Sequence, residues 1–204
     1  RINANSNNIT SNTIITNGTT DNSGFYSQSG QTNMINNNTI TTHGTTDNYG
    51  VYLDLSANSN VIDNNTITTS GTFSDNYGIY ILSSSINNNI TRNIITTNGT
   101  SNNYGIYLLT SINNTLVSGN NITAGGTTVD NDGILLASGV ANNLFLNNNI
   151  SAGNWKEIRD NSGANNTLIY NNSFGQINWT LTNLTTNITL QLNNTLFIQN
   201  NLVG

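Results

Sequence analysis

The strongest constraint on the fold is an asparagine column that recurs about every 27 residues, each member being followed two positions later by an apolar residue. Its eight members are Asn12, Asn38, Asn65, Asn93, Asn120, Asn148, Asn172 and Asn200. A glycine column accompanies it, and Gly24, Gly50, Gly78, Gly105 and Gly133 are 26, 28, 27 and 28 residues apart. A fixed period of ~20–50 residues indicates a repeat architecture in which each unit stacks on the next.

Within each repeat, the apolar residues alternate at the period of a β-strand. In Gly78-Ile79-Tyr80-Ile81 and its counterparts they occupy every second position, and no segment keeps a helical period. We therefore predict three short strands per repeat, one after the glycine and one on each side of the column asparagine. A propeller blade would need four strands and ~40 residues. The sequence thus predicts an all-β parallel β-helix of about eight coils.

The asparagine column has a physical role in such a fold. Stacked coils are ~4.8 Å apart, so amides at one corner can donate to and accept from their neighbours along the axis. Asparagine also tolerates the left-handed backbone conformation that a sharp corner requires. We expect the eight residues to form one continuous internal ladder.

Composition excludes several classes of protein. With 4 basic and 9 acidic residues, the chain lacks the clustered basic footprint of nucleic-acid binding. It has no cysteine for disulfides or thiolate sites, and no run of ~18 apolar residues that would span a membrane. Asn, Thr, Ser and Gly dominate, but the periodic placement of apolar residues argues against disorder.

The strand Gly105-Ile106-Tyr107-Leu108, the corner Asn64-Asn65-Thr66-Ile67 and the coil length resemble the right-handed parallel β-helix repeats of pectin-lyase-like and NosD-like proteins, over residues 7–202. The resemblance implies the fold but no single function, because this scaffold carries lyases, hydrolases, tailspikes, adhesins and cell-surface proteins. We expect β-helix coils over residues 1–175 and a modified coil of the same solenoid over residues 176–204, where the template changes.

Catalysis on this scaffold requires residues that the chain does not group together. Lyases of the family use a basic residue beside a carboxylate-held Ca²⁺, and hydrolases use clustered aspartates. Arg92 has only Asp63 near it, one coil away, which predicts a surface ion pair. His43 is the lone histidine and falls in a loop column, and no base accompanies a serine or threonine as a triad would need. We predict no catalytic site. One His, one Met and no Cys are also too few ligands for NosD-like copper handling.

An acidic column offers the main metal candidate. Asp21, Asp47, Asp75 and Asp130 share one repeat position, which Asn102 interrupts. Stacked carboxylates could bind Ca²⁺ through their oxygens. Alternatively, these residues close turns by accepting backbone N–H bonds, a role that asparagine fills equally well. We predict no cofactor, with Asp130 and Asp132 as the best candidates if Ca²⁺ binds.

Aromatic and charged residues suggest two further surfaces. Tyr26, Tyr52, Tyr80 and Tyr107 should face outward, flanked by Tyr49, Tyr77 and Tyr104. This stripe is either a face for sugar or protein contact or a stack that stabilises the coils by itself. The charged run Lys156, Glu157, Arg159 and Asp160 beside Trp155 is either a docking site or a solvated patch.

Fifteen Asn-x-Ser/Thr sequons occur, a small excess over the number that this composition predicts by chance, and the excess alone proves little. None of the column asparagines is an acceptor. Asn17, Asn64, Asn98, Asn121 and Asn149 are acceptors that fall at turns or strand flanks, and we expect them to be accessible to glycosylation.

These patterns favour a non-enzymatic structural solenoid that is extracellular or at the cell surface. Neither end of the sequence resembles a cap, so we expect the chain to bind itself, end to end or laterally, as a filament, sheath or surface layer, or to adhere to glycans. The alternative is a carbohydrate-binding or polysaccharide-cleaving module of the pectin-lyase type.

Overall fold

The computed structural model describes residues 1–153 and 156–162, and beyond them the strands Leu168–Phe174, Thr180–Leu181 and Thr189–Leu192. Within these residues every regular element is a β-strand, and all strand pairs are parallel. The strands form three sheets that run along one axis, which confirms the all-β solenoid with three strands per coil.

Sheet 1 contains the strands before the column asparagines: β1 (Asn8–Thr10), β4 (Met34–Asn36), β7 (Val61–Asp63), β10 (Asn89–Thr91), β13 (Leu116–Ser118) and β16 (Leu144–Leu146). Sheet 2 contains the strands after them: β2 (Thr13–Asn17), β5 (Thr39–Gly44), β8 (Thr66–Gly71), β11 (Ile94–Asn98), β14 (Asn121–Ala124) and β17 (Asn149–Ser151).

Sheet 3 contains the strands that carry the repeat glycine and their later counterparts: β3 (Asn22–Gln28), β6 (Asn48–Asp54), β9 (Ser74–Leu82), β12 (Ser101–Leu109), β15 (Ile134–Leu136), β18 (Ile158–Asp160) and β20 (Thr180–Leu181). Sheets 1 and 2 meet at β19 (Leu168–Phe174), which pairs with both β16 and β17. The last strand, β21 (Thr189–Leu192), pairs with β19.

The described strands build about six coils, so the prediction of eight is slightly high. The regular template keeps a strand on each side of the corner only as far as β17, because β19 continues through the corner as one strand. Asn200 and most of residues 176–204, assigned to the last predicted coil, lie outside the described residues.

The core is a set of apolar columns in strict register. Ile40, Ile67, Ile95 and Ile122 pair with one another across sheet 2, and all are fully buried. Sheets 1 and 3 contribute equivalent buried columns. Period-two alternation turns every second side chain inward, so the same residue type fills the same place in each coil.

The glycine column exists because sheets 2 and 3 approach closely. A Cβ atom built on Gly78 would lie 2.2 Å from Ile95 Cγ2 and 2.6 Å from the Gly105 carbonyl oxygen. The glycine therefore admits the core isoleucine of sheet 2 against the backbone of sheet 3.

Candidate functional site

The predicted asparagine ladder is present and continuous from Asn12 to Asn172. Successive side chains, Nδ2 donating to Oδ1, are joined at 3.0, 3.0, 3.0, 3.0, 2.9 and 2.9 Å. We call these residues ladder 1: Asn12, Asn38, Asn65, Asn93, Asn120, Asn148 and Asn172. From Asn38 onward they are buried, so each amide satisfies its hydrogen bonds inside the protein.

The ladder 1 side chains also form hydrogen bonds with backbone groups of the neighbouring coil. Asn93 Oδ1 accepts the backbone N–H of Asn65 at 2.9 Å, and Asn93 Nδ2 donates to the Ile62 carbonyl at 2.9 Å. One side chain therefore links three consecutive coils. Removing it would leave polar groups on both neighbours without their partner.

One part of the corner prediction is wrong. The left-handed conformation belongs to the residue before each ladder asparagine, not to the asparagine itself. The corner residues Ser11, Asn37, Asn64, Arg92, Gly119 and Asn147 have φ values of 53–66°. Their left-handed turn directs the following asparagine side chain inward, where it stacks.

Two further ladders obey the same rule and were not predicted. Ladder 2 is Asn22, Asn48, Asn76, Asn103 and Asn131, with Nδ2–Oδ1 distances of 2.9, 2.7, 2.7 and 2.5 Å. Ladder 3 is Asn7, Asn33, Asn60, Asn88, Thr115 and Asn143; side-chain amide bonds join only its first three members, and Thr115 interrupts it with a buried hydroxyl that has no hydrogen-bond partner. The 27-residue spacing of these asparagines was the signal that could have revealed both ladders.

The acidic column occupies left-handed corners. Asp21, Asp47, Asp75 and Asp130 have φ values of 56, 56, 63 and 56°, and Asn102 takes φ 51° at the same position. Each precedes a ladder 2 asparagine. Because Asp and Asn are the non-glycine residues that best tolerate this conformation, the geometry supports a turn role for the column, although Asp47 and Asp75 accept hydrogen bonds from tyrosine hydroxyls and not from the backbone N–H groups that were expected.

The proposed Ca²⁺ pair is occupied by an arginine. Arg159 Nη2 lies 2.5 Å from Asp130 Oδ1, and Arg159 Nε lies 2.8 Å from Asp132 Oδ2. The other Asp132 oxygen accepts the Lys156 backbone N–H at 3.0 Å. Burial raises the pKa of Asp132, and the guanidinium opposes this rise. Arg159 of the same chain therefore supplies the positive charge beside Asp130 and Asp132.

The charged run around Arg159 differs from both interpretations of it. Glu157 and Asp160 are buried, not solvated or presented to a partner. Trp155 lies outside the described residues. Within the described part of the chain, no group of three or more His, Cys, Asp or Glu side chains is placed to hold a metal ion.

Arg92 and Asp63 form the expected surface ion pair. Arg92 Nε and Nη2 reach the two Asp63 carboxylate oxygens at 3.0 and 2.5 Å. Burial alone would raise the pKa of Asp63, but hydrogen bonds from Arg92 and Thr91 lower it. His43 is not in a loop as predicted but is an exposed residue of β5, and its Nδ1 lies 2.5 Å from Ser70 Oγ.

The tyrosines form two stacks along sheet 3. In the outer stack, Tyr26, Tyr52, Tyr80 and Tyr107 have successive ring centroids 4.7, 5.0 and 5.1 Å apart, with planes within 14° of parallel. The inner stack, Tyr49, Tyr77 and Tyr104, has spacings of 5.3 and 5.2 Å. The two stacks meet edge to face, an arrangement that the ring quadrupole favours.

The inner tyrosines are more deeply buried than residues of an exposed stripe would be. Tyr77 and Tyr104 are only 8% and 6% exposed, and the Tyr77 hydroxyl donates to Asp75 at 2.9 Å. Burial, and then the charge of Asp75, raise the pKa of Tyr77 far above its usual value. Burial likewise raises the pKa of Tyr49 and Tyr104.

The stacking fixes which part of each outer ring meets solvent. The faces of Tyr52 and Tyr80 are covered by their neighbours, and Arg1 lies over Tyr26 with its Cζ 5.3 Å from the ring centroid. All four outer tyrosines are partly buried, and the Tyr52 hydroxyl donates to Asp54 Oδ2 at 3.4 Å. The geometry supports stacking as one role of these residues, and contact with a partner stays a prediction limited to the ring edges.

The sequon asparagines are at the surface. Asn17, Asn64, Asn98, Asn121 and Asn149 are all exposed, and Asn121 and Asn149 lie on the outward face of sheet 2. Their accessibility agrees with the expectation, while their glycosylation stays a prediction.

A parallel β-solenoid held by internal asparagine ladders is the class of protein that this geometry defines. The family described as right-handed beta helix region matches residues 1–122, and the chain belongs to that family. Comparison with curated proteins and with solved structures gave no match. Within the described residues, no helix has the length and hydropathy of a membrane span.

Proposed function

We propose that the chain is a non-enzymatic structural solenoid that acts outside the cell or at its surface. One observation carries the proposal: ladder 1 joins the described coils without a break from Asn12 to Asn172, and ladder 2 and the two tyrosine stacks run parallel to it. About six coils at ~4.8 Å each give a rod ~29 Å long.

The extracellular location is supported by surface chemistry. Only 13 of the 204 residues are charged, and the exposed faces are rich in Asn, Thr and Ser. The five exposed sequon asparagines would accept glycans in a secretory route. Neutral hydroxyl and amide surfaces of this kind suit contact with glycans or with further copies of the rod.

The constant register of the coils supports the proposed self-association. Each coil offers the next one the same parallel pairing, so a coil of a second copy can present the same donors and acceptors. At the edge of the first described coil, Thr39 N–H donates to the Asn12 carbonyl. The alternation of a parallel strand therefore directs the Ile15 N–H away from the second coil, toward the outer edge of the first described coil.

Electron microscopy and light scattering over a concentration series test the proposal. We expect filaments or axial oligomers, and Ile15→Pro should reduce them because proline removes the edge N–H. Ile15→Ala, which keeps that N–H, is the matched control. Monomers at every concentration, or equal association of the two variants, would contradict end-to-end assembly.

The enzymatic alternative has its own test. If the chain cleaves acidic polysaccharide, incubation with that polymer and Ca²⁺ should release unsaturated products, and Arg92→Ala should abolish the release. The bidentate pairing of Arg92 with Asp63 gives this arginine a role on the surface without catalysis. Product release that depends on Arg92 would overturn the structural proposal.

A further inference from the structure

The sequence Asn-Gly-Thr occurs at residues 17–19 and again at residues 98–100, and no other asparagine of the chain precedes a glycine. Asn17 is the last residue of β2, and Asn98 is the last residue of β11. The register of sheet 2 places both asparagines in one column, with His43 and Ser70 between them. The two sites therefore share their local sequence and their position in the coil.

An asparagine that precedes a glycine can react with its own backbone. The glycine nitrogen loses its proton and attacks the side-chain carbonyl carbon, and the amide nitrogen takes up a proton and leaves as ammonia. Water then opens the cyclic succinimide to aspartate or isoaspartate. Glycine favours the attack because it has no Cβ and its backbone is permissive. A hydrogen bond that holds the glycine N–H against another carbonyl opposes the reaction, because the nitrogen must turn toward the side chain.

The two glycines differ in this hydrogen bond. Gly18 N–H donates to the His43 carbonyl of the next coil at 3.2 Å. Gly99 N–H has no acceptor among the residues that the structure describes. The side chains of Asn17 and Asn98 are both exposed, and neither makes a hydrogen bond within the described part of the chain. Exposure and side-chain freedom are therefore alike at the two sites, whereas the availability of the attacking nitrogen is not.

The lengths of the neighbouring strands explain the difference. Next to β2, β5 extends past His43 and holds that carbonyl at the level of Gly18. Next to β11, β14 ends at Ala124, which pairs with Thr97. That strand stops before it reaches the level of Gly99. The free N–H is therefore a property of the fold at this coil and not of the Asn-Gly-Thr sequence.

We propose that Asn98 is a site of spontaneous deamidation in the unglycosylated chain and that the fold protects Asn17. The reaction adds a negative charge at the end of β11, and isoaspartate also adds a carbon atom to the main chain there. Gly99 has little room to move, since a Cβ on it would lie 2.4 Å from Asn76 Nδ2 and 2.5 Å from Asn103 Oδ1. Isoaspartate at this site therefore disturbs ladder 2. Glycosylation uses the same side-chain nitrogen, so a glycan on Asn98 blocks the reaction.

Peptide mapping by mass spectrometry, after incubation of the unglycosylated chain at mildly alkaline pH, measures the reaction at each asparagine. We expect aspartate and isoaspartate to form several-fold faster at Asn98 than at Asn17 in the folded protein. In guanidinium-unfolded protein the bond between Gly18 and His43 is absent, so the two sites should react at similar rates. Asn98→Gln should remove most of the ammonia that the two Asn-Gly sites of the folded chain release, while Asn17→Gln, the matched control, should remove little.

Two results would overturn the proposal. One is equal reaction of Asn17 and Asn98 in the folded protein, which would show that the hydrogen bond of the glycine N–H has no effect. The other is an Asn98 that stays intact in the folded protein while both sites react after unfolding. Because both glutamine variants change an exposed side chain, their circular dichroism should match that of the wild type, and a difference in ammonia release then reports the site and not the fold.

Discussion

Replacing Asn93 by leucine removes the central residue of ladder 1 and tests whether the amides stabilise the solenoid. Asn93 Oδ1 accepts two hydrogen bonds from Asn65, from its backbone N–H at 2.9 Å and from its side chain at 3.0 Å. Asn93 Nδ2 donates to Asn120 Oδ1 at 3.0 Å and to the Ile62 carbonyl at 2.9 Å. All four bonds are lost in the variant.

The consequences for the partners are unequal. The Asn65 side chain still donates to the Ile35 carbonyl, and Asn120 Oδ1 still accepts the backbone N–H of residue 93. The Asn65 backbone N–H is left buried with no acceptor, which costs ~1–3 kcal/mol. The other partners of Asn93 also lose hydrogen bonds, while the new leucine gains some apolar contacts. Together these effects should lower the free energy of unfolding by ~3 kcal/mol. In a chain of this size that lowers Tm by ~6–12 °C.

Urea denaturation followed by circular dichroism and by tyrosine fluorescence measures this loss. The two signals are needed because repeat proteins can lose coils separately. Asn89→Leu is the matched control, since Asn89 is exposed on the outward face of β10. If Asn93→Leu unfolds at the same urea concentration as Asn89→Leu, ladder 1 does not stabilise the fold as argued.

Three further predictions concern packing and ionisation. Gly78→Ala should destabilise the chain by ~3 kcal/mol or more through overlap with the core, whereas Gly125→Ala, whose Cβ would lie 3.6 Å from its nearest neighbour, should be tolerated in thermal unfolding. Arg159→Ala should lower the free energy of unfolding by ~3–5 kcal/mol at neutral pH, because it leaves Asp132 buried and unpaired. Since burial raises the pKa of Asp132, this loss of stability should become smaller in acid. A loss that does not change with pH would contradict the argument. The raised pKa of Tyr77 contributes stability that is present below the unfolded value of ~10 and lost above it, so tyrosinate absorbance should appear together with unfolding, not before it.

The fold was predictable because the sequence repeats its physical constraints. A single Gly-x-Tyr segment predicts only a strand, but glycines that recur every 26–28 residues require those strands to stack in register. Ladder 1 was found for the same reason, since an apolar residue always follows two positions after its asparagine.

Ladders 2 and 3 were missed because a turn asparagine and an inward asparagine have the same side chain. Asp47-Asn48 is an example: the corner residue Asp47 takes φ 56°, and Asn48 stacks inside. Local sequence does not say which of two adjacent polar residues turns inward. Only the direction of the chain after the corner decides it, and that direction depends on packing across the coil.

Of the two ion pairs, one was predicted from the sequence and the other was not. Arg92 lies 29 residues after Asp63, and Arg159 lies 29 residues after Asp130. The equal separation has two different origins, because Arg92 follows the residue that pairs with Asp63, whereas Arg159 pairs with Leu135, five residues after Asp130, across a shorter coil. The first pair was predicted from this proximity. The second was obscured because the shortened loop before Arg159 disturbs the repeat count, and the aspartates alone suggested a cation from solution.

Rigidity along the axis underlies the proposed function. The side-chain bonds of ladders 1 and 2 and the ring stacking within each tyrosine column join one coil to the next, so several parallel contacts hold each pair of neighbouring coils together. The same contacts keep the strands of sheet 2 in register. A substitution in ladder 1 should therefore destabilise the rod and loosen the register of sheet 2 together.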